Sequence, residues 1–302
     1  LVIAEATAVE ECGRISLGDT GIYNDAHVAS WKPIVEFIRT AGAVPGMQLA
    51  HAGRKASTAP PWEGGKPVAI GSGGWETVSS SAIPFNSGYS TPHELSLNEI
   101  DAVVAAFRRA AERALAAGFA LLEIHGAHGY LLHQFLSPLS NTRKDEYGGT
   151  VENRMRLTIR VCQTVREVWP ERFPLFFRVS ATDWVEGGWD VEQSIALASR
   201  LKSVGVDLID VSSGGTVPHA KIPVGPGYQV PFAAAIREHA EIPTAAVGNI
   251  TDPIQAETIL ATGQADLVVL ARELLRDPYW PRRAAKVMDA KIIPPVQYQR
   301  AW

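Results

Sequence analysis

Seven short apolar, β-rich runs, at residues 1–9, 44–50, 119–124, 174–180, 206–212, 244–248 and 266–271, alternate along the chain with amphipathic helical stretches. That alternation is what a parallel sheet with crossover helices requires. The helical stretches fall at 25–41, 96–118, 151–169, 191–204, 232–239, 252–262 and 273–288. Asp25 is expected to cap the first of them, and Ser96 with Glu99 forms a capping box for the second. Every motif with chemical content follows the C-terminal end of a strand, where (β/α)₈ barrels carry their sites. The expected fold is therefore α/β, a (β/α)₈ TIM barrel with seven βα units in view. Leu1 opens in the middle of a strand-like run, so the barrel's first strand is expected upstream of it.

A length of 302 residues suits one such domain spanning 1–302. Residues 57–92, rich in Gly, Pro and Ser and carrying Trp62 and Trp75, form too long a loop to be a plain connection and are expected to act as a lid. The Pro-led segment from Pro294 onward is expected to be extended.

The charge balance, 28 basic against 32 acidic residues, gives a net −4 with no Lys/Arg stripe, which argues against a nucleic-acid partner and for a small molecule. Cys12 and Cys162 are the only cysteines, too few for a disulfide framework or thiolate metal site. No apolar run is long enough for a signal peptide or membrane span. The expected compartment is the cytoplasm.

The densest chemistry lies in Glu123-Ile-His125-Gly-Ala-His128-Gly-Tyr130. The third strand delivers two imidazoles and a phenol within six positions, with Gly126 and Gly129 allowing the turn to bend. Imidazole N–H groups there can hold an oxygen that gains negative charge, and a phenol can hand over a proton. A second constellation, Gly248-Asn249 after one strand and Ala271-Arg272 after the last, fits a phosphate monoester held by backbone N–H groups and a guanidinium. No G-x-G-x-x-G occurs, so a Rossmann-held dinucleotide is not supported.

Gln48 and Arg178 stand near the ends of two further strands. A guanidinium inside a barrel mouth needs an anionic partner. Glu123 or Asp210 could supply it, and so could a flavin pyrimidine, whose edge an amide such as Gln48 would also match. A metal-dependent TIM-barrel hydrolase would use His125 and His128 but finds no obvious third ligand, so no metal is expected. Lys55 is the only lysine near a strand end that an aldolase could use.

Five motifs together resemble the Old Yellow Enzyme family of FMN-dependent ene-reductases. They are His51-Ala-Gly-Arg-Lys55; the 125–130 turn; Phe135-Leu-Ser-Pro-Leu-Ser-Asn141; Asp145-Glu-Tyr-Gly-Gly149 with Glu152-Asn-Arg154; and Arg272-Glu-Leu-Leu-Arg-Asp-Pro278. The closing Pro295-Val-Gln-Tyr-Gln-Arg300-Ala-Trp302 is similar to the bacterial NADPH dehydrogenase and xenobiotic-reductase subclass. The resemblance implies that Ala6, Gln48 and Arg178 contact the flavin ring and that Gly248, Ala271 and Arg272 hold its phosphate. It implies that NADPH or NADH reduces the FMN. His125 and His128 then bind the oxygen of an activated alkene (enone, maleimide or nitroalkene), and Tyr130 protonates its α-carbon. The tail at 289–302 would contact a neighbouring subunit, with Arg300 reaching that subunit's substrate in a homodimer or homotetramer. In this subclass the first barrel strand bears a redox-tuning cysteine and a substrate-side tyrosine; neither Cys12 nor Cys162 occupies the cysteine's place. Ala271 replaces the usual glycine before the phosphate-binding arginine. The remaining alternative is a noncatalytic or flavin-deficient barrel fragment.

Overall fold

A computed structural model describes residues 1–301; Trp302 lies outside the described residues. Seven parallel strands form one curled sheet in the order β1 (Val2–Ala8), β2 (Pro45–Ala50), β5 (Leu121–Gly126), β6 (Leu175–Ser180), β7 (Leu208–Ser212), β8 (Thr244–Ala246), β9 (Leu267–Val268). The crossovers are α1 (Asp25–Thr40), α2 (Leu97–Ala117), α4 (Val151–Val168), α5 (Val191–Ser203), α6 (Val230–Ala240) and α7 (Pro253–Ala261). β1 and β9 are the two edges, and a cavity of about 500 Å³ opens between them, walled by Leu1, Ile3, Phe176, Leu267 and Val269. The expected architecture of seven βα units of a TIM barrel is what the strands form. No helix among the described residues is long and apolar enough to cross a membrane.

Strand alternation divides the sheet into two faces. Met47, Leu49, Leu122, Ile124, Phe177, Val179, Ile209 and Val211 point outward and are buried beneath the helices, against Phe107, Val161 and Leu197. Leu121, Phe176, Leu208 and Ala245 point inward as an apolar floor. One step nearer the strand ends the inward face turns polar, with Gln48, Glu123, Arg178 and Asp210. Register places His125 opposite Arg178 and Arg178 opposite Asp210. The β1–β2 register shifts between Ala4 and Thr7, an irregularity next to Ala6 at the rim of the mouth.

The Ser96 box forms as expected: the Ser96 hydroxyl accepts the Glu99 N–H, and the Glu99 carboxylate accepts the Ser96 N–H at 2.7 Å. Ser96→Ala is expected to cost about 1 kcal/mol and to lower the melting temperature by about 2 °C, measured by circular dichroism.

Three expectations are corrected, and one helix is added. Asn24, not Asp25, caps α1, its side chain accepting the His27 N–H at 3.1 Å; either residue type can cap, and the chain uses the earlier one. The stretch 273–288 is two helices, α8 (Arg272–Arg276) and α9 (Trp280–Val287), because Pro278 cannot continue the first. A short helix, α3 (Leu131–Leu136), follows the histidine turn; all six residues are buried, so it shows no polar face to read. The tail is a 3₁₀ helix at Val296–Ala301 rather than extended. In the long loop and just after it, β3 (Val78–Ser79) and β4 (His93–Glu94) pair in parallel. The end of that loop is clamped to the barrel rim by Arg143, whose guanidinium donates to the Ser80 and Leu95 carbonyls.

Candidate active site

His125 is the last-but-one residue of β5 and is 3% exposed. The chain then turns through His128 (φ +60°) and Gly129 (φ +72°), and Tyr130 caps α3. Glycine at 129 is dictated by space as well as by φ: a Cβ there would lie 2.1 Å from the Gly215 carbonyl oxygen. The left-handed backbone of His128 is held by its neighbours. Its N–H donates to Ser180 Oγ at 2.9 Å, and its carbonyl accepts from Lys55 Nζ at 2.9 Å. Lys55 also donates to the Gly215 carbonyl at 3.2 Å, so one ammonium pins the turn to the loop after β7.

This arrangement groups the three rings. His125 lies 5.1 Å from His128 and 5.2 Å from Tyr130, centroid to centroid, each pair edge to face. His128 Nε2 lies 2.7 Å from Ser212 Oγ, while Nδ1 of His125 is buried with no protein partner. Burial, then the nearby positive charge of Arg178, holds the imidazole of His125 well below its usual pKa; burial and then His125 do the same for His128. Both rings are neutral at pH 7, and each offers one N–H. Burial pushes the Tyr130 phenol up to about 12, so it keeps its proton. The Lys55 ammonium stands 5.1 Å from the centre of the Tyr130 ring, and burial pulls its pKa down to about 8.

Across the mouth, a cavity of about 480 Å³ is walled by His128, Arg178 and Ser212 on one side and by Gly248, Ala271 and Arg272 on the other. Of the histidine turn, His128 opens on this space with the two phosphate-site turns; Tyr130 lines a separate cavity of about 400 Å³ with Ala6 and Lys55, and His125 lines neither but lies against both rings. Ala6, Gln48, Arg178 and Ala271 also line the 500 Å³ cavity that adjoins it. Arg300 lines neither; it sits on the exposed tail.

Arg178 Nε approaches Asp210 Oδ2 to 3.2 Å, so a carboxylate supplies its anionic partner, yet its guanidinium still faces both cavities. Glu123 instead accepts the Gln48 amide at 2.6 Å. Burial, then Asp210, raises the Glu123 carboxyl to about 8, and burial raises Asp210 too, so the pair retains a proton near neutrality. Among the described residues, the one cluster close enough to hold a metal is Glu10, Cys12 and His51. It includes neither His125 nor His128, which removes the basis for the hydrolase reading. Lys55 is committed to two carbonyls rather than poised as an aldolase amine. Spacing alone did not reveal its pinning role, nor those of Ser180 and Ser212, because their partners come from distant strands.

These residues fit FMN on their own chemistry. Gly248 (φ +127°) leaves a concavity in which a Cβ would meet the Gln229 side chain at 2.9 Å. Beside it, the exposed Arg272 guanidinium has no ion-pair partner among the described residues, as a phosphate ligand should not. At the far end Arg178, which lines both cavities, could supply the positive charge that a reduced isoalloxazine needs beside it.

Comparison with known proteins agrees. The family described as NADH:flavin oxidoreductase / NADH oxidase matches residues 1–291. The chain is 53% identical over 302 residues to a NADPH dehydrogenase of Bacillus licheniformis, covering 100% of this chain and 84% of that protein. It superposes on morphinone reductase in complex with tetrahydroNAD with a TM-score of 0.77 at 28% identity, over 98% of this chain and 80% of that one. The old yellow enzyme homologue from Zymomonas mobilis gives 0.77 at 27%, over 97% and 81%. The chain therefore belongs to the NADH:flavin oxidoreductase / NADH oxidase family, and is an oxidoreductase with FMN as its cofactor.

Proposed function

We propose that this protein is an NADPH-dependent ene-reductase that saturates activated C=C bonds in enones, maleimides or nitroalkenes. The observation that carries the reading is the unpartnered Nδ1 of His125, buried against the rings of His128 and Tyr130, with His128 walling the mouth that Gly248 and Arg272 close on the other side. Similarity to NADPH dehydrogenases supports the choice of reductant.

FMN, when bound, supplies the hydride, taken from NADPH and given to the alkene's β-carbon. His125 and His128 receive the substrate's carbonyl or nitro oxygen. Because both imidazoles are neutral, they hold it by N–H donation rather than by full charge, which draws electron density from the β-carbon without protonating the oxygen. Tyr130 gives its proton to the α-carbon. A phenol with a pKa near 12 does this only once the carbon has become carbanion-like, so proton delivery follows hydride arrival. The Lys55 ammonium faces the ring on which phenolate charge then develops. Gln48, Ala6 and Arg178 would hold the flavin ring, and Gly248, Ala271 and Arg272 its phosphate. NADPH and alkene use the same mouth in turn, a ping-pong cycle.

The loop at 57–92 is proposed as the lid of the single domain, and the tail as a contact with a neighbouring subunit. In a homodimer or homotetramer Arg300 reaches the partner's mouth; exposed Ile293, Val296 and Tyr298 give that tail an apolar surface to bury. Arg300→Ala is expected to raise the alkene KM about tenfold, the worth of one charge-assisted hydrogen bond, in an enzyme that sediments as more than one chain. Cys12 and Cys162 are free thiols, which fits the cytoplasm.

The test is product analysis. The yellow protein with NADPH and 2-cyclohexenone in deuterated water should yield cyclohexanone labelled once at the α-carbon. NADPH oxidation in which alkene is not consumed under anaerobic conditions would refute the proposal.

A further inference from the structure

Gly129 joins His128 to Tyr130, and its N–H donates to Nδ1 of His133 at 2.9 Å. A ring nitrogen that accepts carries no hydrogen, so the proton of a neutral His133 belongs on Nε2. That nitrogen lies 3.2 Å from Oδ1 of Asp183, and both side chains are wholly buried. The other carboxylate oxygen is taken: Oδ2 accepts the Ser137 hydroxyl at 2.6 Å and the Trp189 N–H at 2.8 Å. Oδ1 has no hydrogen-bond partner of good alignment and is the oxygen left for the histidine. Thr216 Oγ1 closes the pocket, 3.1 Å from Nδ1 and 3.2 Å from Nε2, and its hydroxyl also pairs with Asp183. Neither His133 nor Asp183 lines the mouth cavities.

We infer that His133, held in its Nε2–H tautomer by Asp183, is a positioning residue that fixes the turn carrying His128 and Tyr130. The inference rests on the ene-reductase reading only for which reaction suffers when the turn is released. Lys55 grips the turn through the His128 carbonyl, and His133 grips it through the next N–H. A catalytic group displaced by about 1 Å can cost about 100-fold in rate.

Asp183→Asn separates this role from bulk. The Ser137 hydroxyl and Trp189 N–H still need an acceptor, so the amide oxygen must take the place of Oδ2, leaving the NH₂ group facing His133. Nε2 must then accept, and the ring proton moves to Nδ1, directly opposite the Gly129 N–H. Two donors face each other and the turn lets go, with no change in side-chain volume.

The experiment uses the flavin-loaded full chain, with ¹⁵N-histidine NMR to read the tautomer and His133→Asn to identify the signal. The wild type should show a neutral His133 protonated at Nε2, and Asp183→Asn one protonated at Nδ1. Asp183→Asn should reduce cyclohexenone about 100-fold more slowly with an unchanged flavin spectrum. His133→Asn, which offers an oxygen to Gly129 and an NH₂ to Asp183, should stay within about tenfold of wild type. Adding Asp183→Asn to His133→Leu should bring no further loss, whereas an independent structural role for Asp183 multiplies the two penalties. An Nδ1-protonated or cationic His133 in the wild type overturns the inference, as does an Asp183→Asn enzyme with the wild-type rate. If the wild type reduces no alkene, the proposed reaction fails while the tautomer still decides the role of His133.

Discussion

Tyr130→Phe is expected to slow alkene reduction about 1,000-fold, within the range that loss of a positioned general acid produces. Phenylalanine fills the same space, so the packing of His125 against the ring survives. Reduction of the flavin by NADPH needs no proton from Tyr130 and should change by no more than about twofold. Rapid mixing resolves the two half-reactions; equal losses in both would remove the proton-donor role. The sign of the pH dependence follows from the phenol's elevation to about 12. The donor form is the protonated one, so titration of the phenol itself should bring no loss in the alkene step until pH nears 12. Activity lost with a midpoint near 8 would point instead to the Lys55 ammonium beside the ring.

The second large effect is expected from His125→Ala combined with His128→Ala. On the proposed reading a phenol would place its oxygen where the substrate oxygen is held, and removing both donors would strand that oxygen in a dry site. Each lost hydrogen bond costs about 1.5–2 kcal/mol, so phenol binding should weaken by about 100- to 1,000-fold. Titration of p-hydroxybenzaldehyde against the flavin spectrum measures it, and unchanged affinity would refute the assignment. Because both imidazoles have lowered pKa values, neither changes protonation between pH 8 and the ordinary histidine pKa of 6.5, and any pH dependence of binding in that window should follow ionisation of the phenol ligand itself.

Much of this site was legible in the sequence because its groups are local. His125, His128 and Tyr130 fall within one strand end and one turn, so the strand's period and two glycines suffice to bring them together. Gly248 and Ala271-Arg272 were legible for the same reason: a barrel puts all its strand ends at one mouth. Groups that act across the barrel were not. Lys55 meets a carbonyl 73 residues away and His128 meets Ser212 at 84 residues, and no spacing rule encodes either. Arg178 is the intermediate case. Its need for an anion followed from charge and burial, but only tertiary placement gave it Asp210 and gave Glu123 to Gln48. The fold's errors were local contests between near-equal signals: Asn24 against Asp25 as a cap, and helix continuation against Pro278. The helix at Leu131–Leu136, buried on every side, presented no periodicity at all.

One anaerobic single turnover tests the central claim most directly. The protein is reduced with one equivalent of NADPH, mixed with 2-cyclohexenone, and followed at the flavin's visible absorption. The account predicts that the yellow colour returns at a rate that saturates with alkene, leaving one cyclohexanone per flavin. A flavin that stays bleached until oxygen is admitted would contradict it.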